Sequence, residues 1–438
     1  MPNRNIFCNV PWTNLHIYWD GSYGMCCSER HKVYGNHDSS QYNIKKLSPS
    51  DWYNSKPMQD IRIAMHQGDK MSTCNGCYIE ESYGAESKRI KENHKSIIFT
   101  EQSFDRSYEQ NPSVNIFEDS KLTGKTTAVP IDWHVDLGNE CNLACKMCIP
   151  EASSKIALAY RRWNMLGDNK IFENWTNDDD AWANFLEAVK QTPNLNRLHF
   201  MGGEPLMNRR LEPLLDYFIM LGMNRTLSLS FVTNGTIYRQ SLVDKLLQFA
   251  ECDIEVSLES IDKTNDYIRQ GSKVENTMAN IEKLKLQTSK SFRLIMRSVP
   301  QLLNINSYHN YIEWCWQNRI PIVSIPLKRP LYLSTAILPE SIRNKLLENY
   351  LPLHDKLQQA VKKQFNSLAP NRDASRIEST LLRECSSTMT QLTQESPADV
   401  EIQRKELIMW LKRWDTLYNL DALEYYPEYK EFFLEYGY

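Results

Sequence analysis

Three cysteines stand close together in DLGNECNLACKMCIP: Cys141, Cys145 and Cys148, spaced C-x3-C-x2-C. Thiolates are soft ligands, and three of them on one short loop suit a small iron–sulfur cluster. A cubane has four irons, so three protein sulfurs leave one iron with an open position, and an open position is a place for chemistry. The spacing alone also admits a zinc site that borrows a fourth ligand, with His134 or His199 as the nearest candidates. A second group of thiols precedes this one: Cys8, Cys26, Cys27, Cys74 and Cys77. Cys8, Cys26, Cys74 and Cys77, with Cys27 as a substitute for Cys26, offer four sulfurs, enough to close an iron–sulfur cluster completely or to hold a structural zinc.

Eight of the eleven cysteines therefore fall in two groups. The first residues, MPNRNIFCNVPW, lack the basic start and apolar run of a secretory signal, and no later stretch is long enough to span a membrane. A cytoplasmic location is expected, and in a reducing compartment clustered cysteines read as metal ligands before disulfides. Cys252, Cys315 and Cys385 are scattered and read as small buried apolar side chains. With 41% hydrophobic and 24% charged residues, the chain has ordinary globular composition. A net charge of -3 provides no broad electropositive field, so no nucleic-acid partner is indicated.

The elements that must position these cysteines are legible from periodicity. Strands are predicted over 131–137, 197–201, 227–233, 253–258, 293–299 and 320–325, with helices over 153–163, 181–189, 211–221, 241–249, 274–286 and 308–316. Alternating strands and helices give an α/β protein, a partial (β/α)6 TIM-like barrel whose chemistry belongs at the C-terminal strand ends. The three-cysteine loop follows the first of these strands. Residues 1–100 form a cysteine-rich module in which NLHIYW and the DG turn predict a β-hairpin. Residues 101–128 are polar and read as a linker, 129–335 as the barrel, and 336–438 as a helical C-terminal appendage. The acidic aromatic end, EYYPEYKEFFLEYGY, reads as a docked helix.

The cysteine loop resembles the defining motif of the radical S-adenosylmethionine superfamily, and further segments resemble that family in order. Gly202-Gly203-Glu204, after the second barrel strand in HFMGGEPLM, is similar to its GGE motif, whose backbone approaches the methionine moiety and whose oxygens receive its ammonium. FVTNGT and VSLESID resemble strand-end segments that contact the cofactor's ribose and carboxylate. That implies roles for Asn234 and Ser257, and for Glu259, where the family commonly has aspartate. Arg269, in DYIRQGSKVENTMANIEKL, would pair with the cofactor carboxylate, its bland alternative being a solvated surface arginine. Met147 replaces the usual aromatic residue before the third cysteine and would pack on adenine.

The resemblance implies that S-adenosylmethionine chelates the open iron and is cleaved reductively to a 5′-deoxyadenosyl radical, which takes hydrogen from a substrate. It also implies an external reductant such as flavodoxin or ferredoxin. The N-terminal cysteines resemble the family's twitch module, a shortened SPASM domain, here ahead of the barrel. One auxiliary iron–sulfur cluster follows from that, relaying an electron from the substrate. Peptide modification is the leading expectation, with cofactor, nucleoside or sugar metabolism as a second. A zinc-stabilised interaction protein is the non-enzymatic alternative.

Overall fold

The computed structural model describes residues 5–26, 37–82, 86–95, 117–127, 129–167, 172–325, 327, 329–365 and 372–438. The fold is α/β, with a mostly parallel sheet of eight strands and a helical C-terminal region. Two compact units make up the chain, each discontinuous in sequence. The first comprises Met1–Glu140, Asn169–Phe231 and Asp244–Cys252; the second comprises Cys141–Asp168, Val232–Val243 and Asp253–Tyr438.

In the first unit, β1 (Asn14–Ile17) and β2 (Tyr23–Gly24) form the expected hairpin, antiparallel with Ile17 opposite Tyr23. The same β1 runs parallel to β3 (Asp132–Asp136), which is followed outward by β5 (Arg197–Met201) and β6 (Ser228–Thr233). The sequence reading counted six strands and kept the hairpin apart. In fact β1 and β2 belong to the sheet, an addition hidden from local patterns because it depends on pairing between distant segments. Side chains alternate across the strands. Trp133, Leu198 and Leu229 share one register row and Val135, Phe200 and Phe231 another, all buried. Helix Asp179–Lys190 buries Ala181, Trp182, Phe185 and Val189, with Phe185 6.2 Å from the Trp133 ring. Asp178 caps this helix by accepting from the Ala181 amide.

Of the segment read as a linker, 101–116 and 128 lie outside the described residues, and 117–127 are described. Phe117 is buried against Phe7 and Trp12, the Trp12 indole donates to Ser120 Oγ at 2.9 Å, and Arg62 donates to the Gly124 carbonyl. A polar composition concealed these few anchoring residues.

The second unit contains β7 (Glu251–Ser257, from Asp253 onward), β9 (Phe292–Ser298) and β10 (Ile322–Ser324), the last two parallel. It also holds a two-stranded antiparallel pair, β4 (Ala144–Cys145) with β8 (Arg269–Gln270). Long helices Glu340–Phe365, Arg372–Leu392 and Val400–Tyr418 follow. The terminal aromatic run docks as expected, with Tyr426, Tyr429, Phe432 and Phe433 buried. Cys252, Cys315 and Cys385 are buried as well. Among the described residues, no helix is long and apolar enough to cross a membrane.

Candidate functional site

The loop bearing Cys141, Cys145 and Cys148 is tied down by its backbone. Cys145 lies opposite Arg269 in the β4–β8 pair, the Lys146 amide donates to the Ile268 carbonyl at 2.9 Å, and the Cys148 amide donates to Cys145 at 2.9 Å. Ser153, which caps helix Ser154–Arg162, also donates to the Leu143 carbonyl, joining the loop to the helix that follows. Two of the three sulfurs face N–H donors. Cys141 Sγ receives the Leu143 amide at 3.5 Å and Asn234 Nδ2 at 4.0 Å, and Cys145 Sγ receives Arg269 Nη1 at 3.6 Å. Burial pushes the Cys145 thiol up to about 12; Arg269 opposes this, while the neighbouring Cys148 and Cys141 thiols add to it. The three cysteines therefore feel one another's charge. Donors aimed at sulfur favour the thiolate form that a cluster ligand must take.

Arg269 is no surface arginine. Its Nη2 donates to Glu259 Oε1 at 2.6 Å, and Nε is buried without a hydrogen-bond partner. Burial opposes its charge, but the Cys145 sulfur and the Glu259 carboxylate together raise its pKa above the usual arginine value. Glu259 is fully buried, and its Oε2 accepts from Ser298 Oγ, the Val299 amide and Asn304 Nδ2 at 2.9–3.1 Å. It thereby links Arg269, which faces Cys145, to the residues that follow β9. Asn234 is likewise engaged with the loop, donating to Asn142 Oδ1 at 2.8 Å and accepting from Thr236. Ser257 is buried at the end of β7, and Met147, between Lys146 and Cys148, is half-buried.

The GGE segment belongs to the first unit. Gly202 and Gly203 have positive φ, and a Cβ on Gly203 would lie 2.1 Å from the Glu140 carbonyl oxygen. The Glu204 amide donates to that same oxygen at 2.7 Å. Only glycine permits this approach, which packs the motif on the strand-end residues preceding Cys141. The Glu204 carboxylate is buried and accepts from the Leu206 amide at 3.1 Å, capping the turn Pro205–Met207.

In the N-terminal part of the first unit, Cys74 ends the turn Ser72–Cys74, Cys77 lies on helix Asn75–Ser82, and Cys8 is buried ahead of the turn Val10–Thr13. Burial raises the Cys8 thiol pKa, the Val10 amide opposes, and the Cys74 and Cys77 thiols add to the rise. Three of the four expected thiols thus share one neighbourhood. Cys26 follows β2, and its carbonyl accepts from Tyr18 Oη at 2.9 Å; Cys27 lies outside the described residues. Among the described residues, no group of three or more His, Cys, Asp or Glu side chains is drawn together closely enough to hold a bare metal ion.

One feature of the first unit escaped sequence reasoning. His16, His134 and His199 occupy one register row across β1, β3 and β5, all buried. His16 Nε2 is 3.4 Å from Asp136, Lys88 Nζ is 3.4 Å from His134 Nε2, and His199 Nδ1 is 2.8 Å from Ser230 Oγ. The available signal was parity: each histidine alternates with large apolar neighbours on its strand, so the three share a face once the register is known.

Comparison with known proteins brings these observations together. Residues 135–297 match the family model of the radical SAM superfamily, and residues 8–78 match the SPASM iron-sulfur cluster-binding domain. PqqA peptide cyclase of Xanthomonas oryzae is 27% identical over 137 residues, 31% of this chain and 31% of that protein. Molybdenum cofactor biosynthesis protein 1 of Dictyostelium discoideum is 27% identical over 160 residues, 35% of this chain and 22% of that protein. The chain thus matches about a third or less of the length of these curated relatives. Among solved structures, native anSMEcpe with bound AdoMet is 17% identical with a TM-score of 0.38, covering 51% of this chain and 60% of that one. Streptococcus suis SuiB bound to precursor peptide SuiA is 13% identical with a TM-score of 0.37, covering 69% and 63%. The chain belongs to the radical SAM superfamily and carries its SPASM domain at the N-terminal side, so its cofactors are S-adenosylmethionine, a 4Fe–4S cluster and an auxiliary iron–sulfur cluster.

Proposed function

We propose that this chain cleaves S-adenosylmethionine reductively at a 4Fe–4S cluster held by Cys141, Cys145 and Cys148, and oxidatively modifies a peptide. The observation that carries this reading is the convergence of Leu143, Asn234 and Arg269 donors on the Cys141 and Cys145 sulfurs of a three-cysteine loop. When bound, the cluster and S-adenosylmethionine supply one-electron cleavage of a carbon–sulfur bond and a 5′-deoxyadenosyl radical. The chain's own part is to hold and orient. Arg269 stays charged beside Cys145, with its unpartnered Nε available to a cofactor carboxylate. Gly202 and Gly203 present backbone, the Glu204 carboxylate and the neighbouring carbonyls receive the ammonium, Asn234 and Ser257 contact the ribose and carboxylate, and Met147 packs on adenine.

Cys8, Cys26, Cys74 and Cys77 would hold the auxiliary cluster, which accepts the electron left on the substrate. Functionally, 1–100 serves as the auxiliary module, 129–335 as the barrel and 336–438 as its helical support. The reaction belongs in the cytoplasm with an external reductant such as flavodoxin or ferredoxin. A peptide substrate is supported by the similarity to PqqA peptide cyclase. The similarity to a molybdenum cofactor biosynthesis protein supports a second reading, a small-molecule substrate. A short peptide gene beside this one would favour the first.

The test is anaerobic reconstitution with iron and sulfide, dithionite reduction and assay of 5′-deoxyadenosine. Wild type should form it, and Cys145→Ser should not. Stoichiometric zinc with no nucleoside product would overturn the proposal.

A further inference from the structure

Neither family match reaches residues 298–438, yet the helices there contact the cluster loop itself. The point of contact is Lys146, inside the cysteine motif and almost fully buried. Its Nζ donates to the Tyr267 carbonyl, and it sits 3.6 Å from the centre of the Tyr267 ring and 5.4 Å from that of Trp414. Trp414 and Asp415 lie on helix Val400–Tyr418, both buried. Tyr267 Oη donates to Asp415 Oδ1 at 2.9 Å, and the other carboxylate oxygen accepts from the Ala422 amide at 2.9 Å and Tyr438 Oη at 2.5 Å. A second tie runs through Trp163, the C-cap of the helix after the loop, whose ring meets Trp414 edge-on at 4.8 Å.

A surface lysine costs little to leave in water, whereas a buried one needs a shaped and satisfied environment. Here that environment is assembled from the segment paired with the loop and from a helix on the order of a hundred residues beyond the end of the superfamily match. We propose that helix Val400–Tyr418 is a working part of the cluster site: through Tyr267, Trp414 and Asp415 it fixes Lys146, and so the loop carrying Cys145 and Cys148. Lys146 and Asp415 are positioning residues for S-adenosylmethionine cleavage. This rests on the radical reading above, and outer-shell partners of metal ligands act in this way, by orienting the first shell.

The full chain is reconstituted anaerobically and its dithionite-reduced electron paramagnetic resonance spectrum recorded with and without S-adenosylmethionine, alongside the rate of 5′-deoxyadenosine formation. In Lys146→Met the cofactor-dependent spectral change should shift and the rate fall about ten-fold. Tyr267→Phe, which removes only the oxygen bonded to Asp415, should move both in the same direction, and it decides the matter if Lys146→Met does not fold. Lys412→Met, exposed on the same helix, should match wild type. A responsive wild type with unaltered spectra and rates in the folded box variants would overturn this inference alone. A wild-type spectrum indifferent to S-adenosylmethionine would overturn the radical reading and this inference with it.

Discussion

Glu259 shows how much of a single side chain's environment is decided by partners far from it in sequence. Its place after the fourth barrel strand suggests a cofactor contact, and its carboxylate also accepts from Arg269, Ser298, Val299 and Asn304. The longer reach of glutamate over the family's usual aspartate lets it bridge these groups. Glu259→Ala is expected to cost about 3–5 kcal/mol, because it strands a buried guanidinium, and to reduce S-adenosylmethionine binding. Chemical denaturation and calorimetric titration with the cofactor check the two halves. Cysteine spacing was readable without a structure because a cluster loop is local. The commitments of Arg269, Glu259 and Asn234 were not, since each is decided by partners from other elements.

At the scale of elements, the barrel strands and helices were legible almost throughout: Arg197–Met201 is the predicted strand, and helix Val274–Lys285 differs from its prediction by one residue. Strong apolar periodicity makes such segments insensitive to context. Register is the part no local pattern contains, and two consequences depend on it. Gly203→Ala would drive a methyl into the Glu140 carbonyl at a positive φ, so it should destabilise by more than about 1 kcal/mol and abolish cofactor binding. Thermal melting with and without S-adenosylmethionine tests this.

The histidine row is the second. Burial, with Lys88, His199, His16 and Arg197 adding like charge, holds His134 well below its usual 6.5. The folded chain keeps it neutral while the unfolded chain gains a proton as pH falls past 6.5, so stability is full above that value and is lost on acidification. The loss attributable to His134 approaches about 1.4 kcal/mol per pH unit below about 6. Urea midpoints measured from about pH 7 to about pH 5 should fall less steeply in His134→Gln than in wild type.

Across the whole molecule, the two thiol groups are proposed to have separate tasks, which should separate experimentally. Cys74→Ala is expected to remove the iron of the auxiliary cluster while dithionite-driven 5′-deoxyadenosine formation continues, as iron analysis beside the nucleoside assay would show. Their membership of different compact units was invisible in the sequence, where the chain passes from one unit to the other between Glu140 and Cys141.

The parallel pairing of Asn14 with Asp132 has a consequence for how the protein is made. A nascent chain emits β1 on the order of a hundred residues before the neighbour it needs, so the hairpin must wait with one edge uncovered. Until then its unmet amides and carbonyls invite pairing with another chain, which makes slow translation or crowding the conditions most apt to cause aggregation.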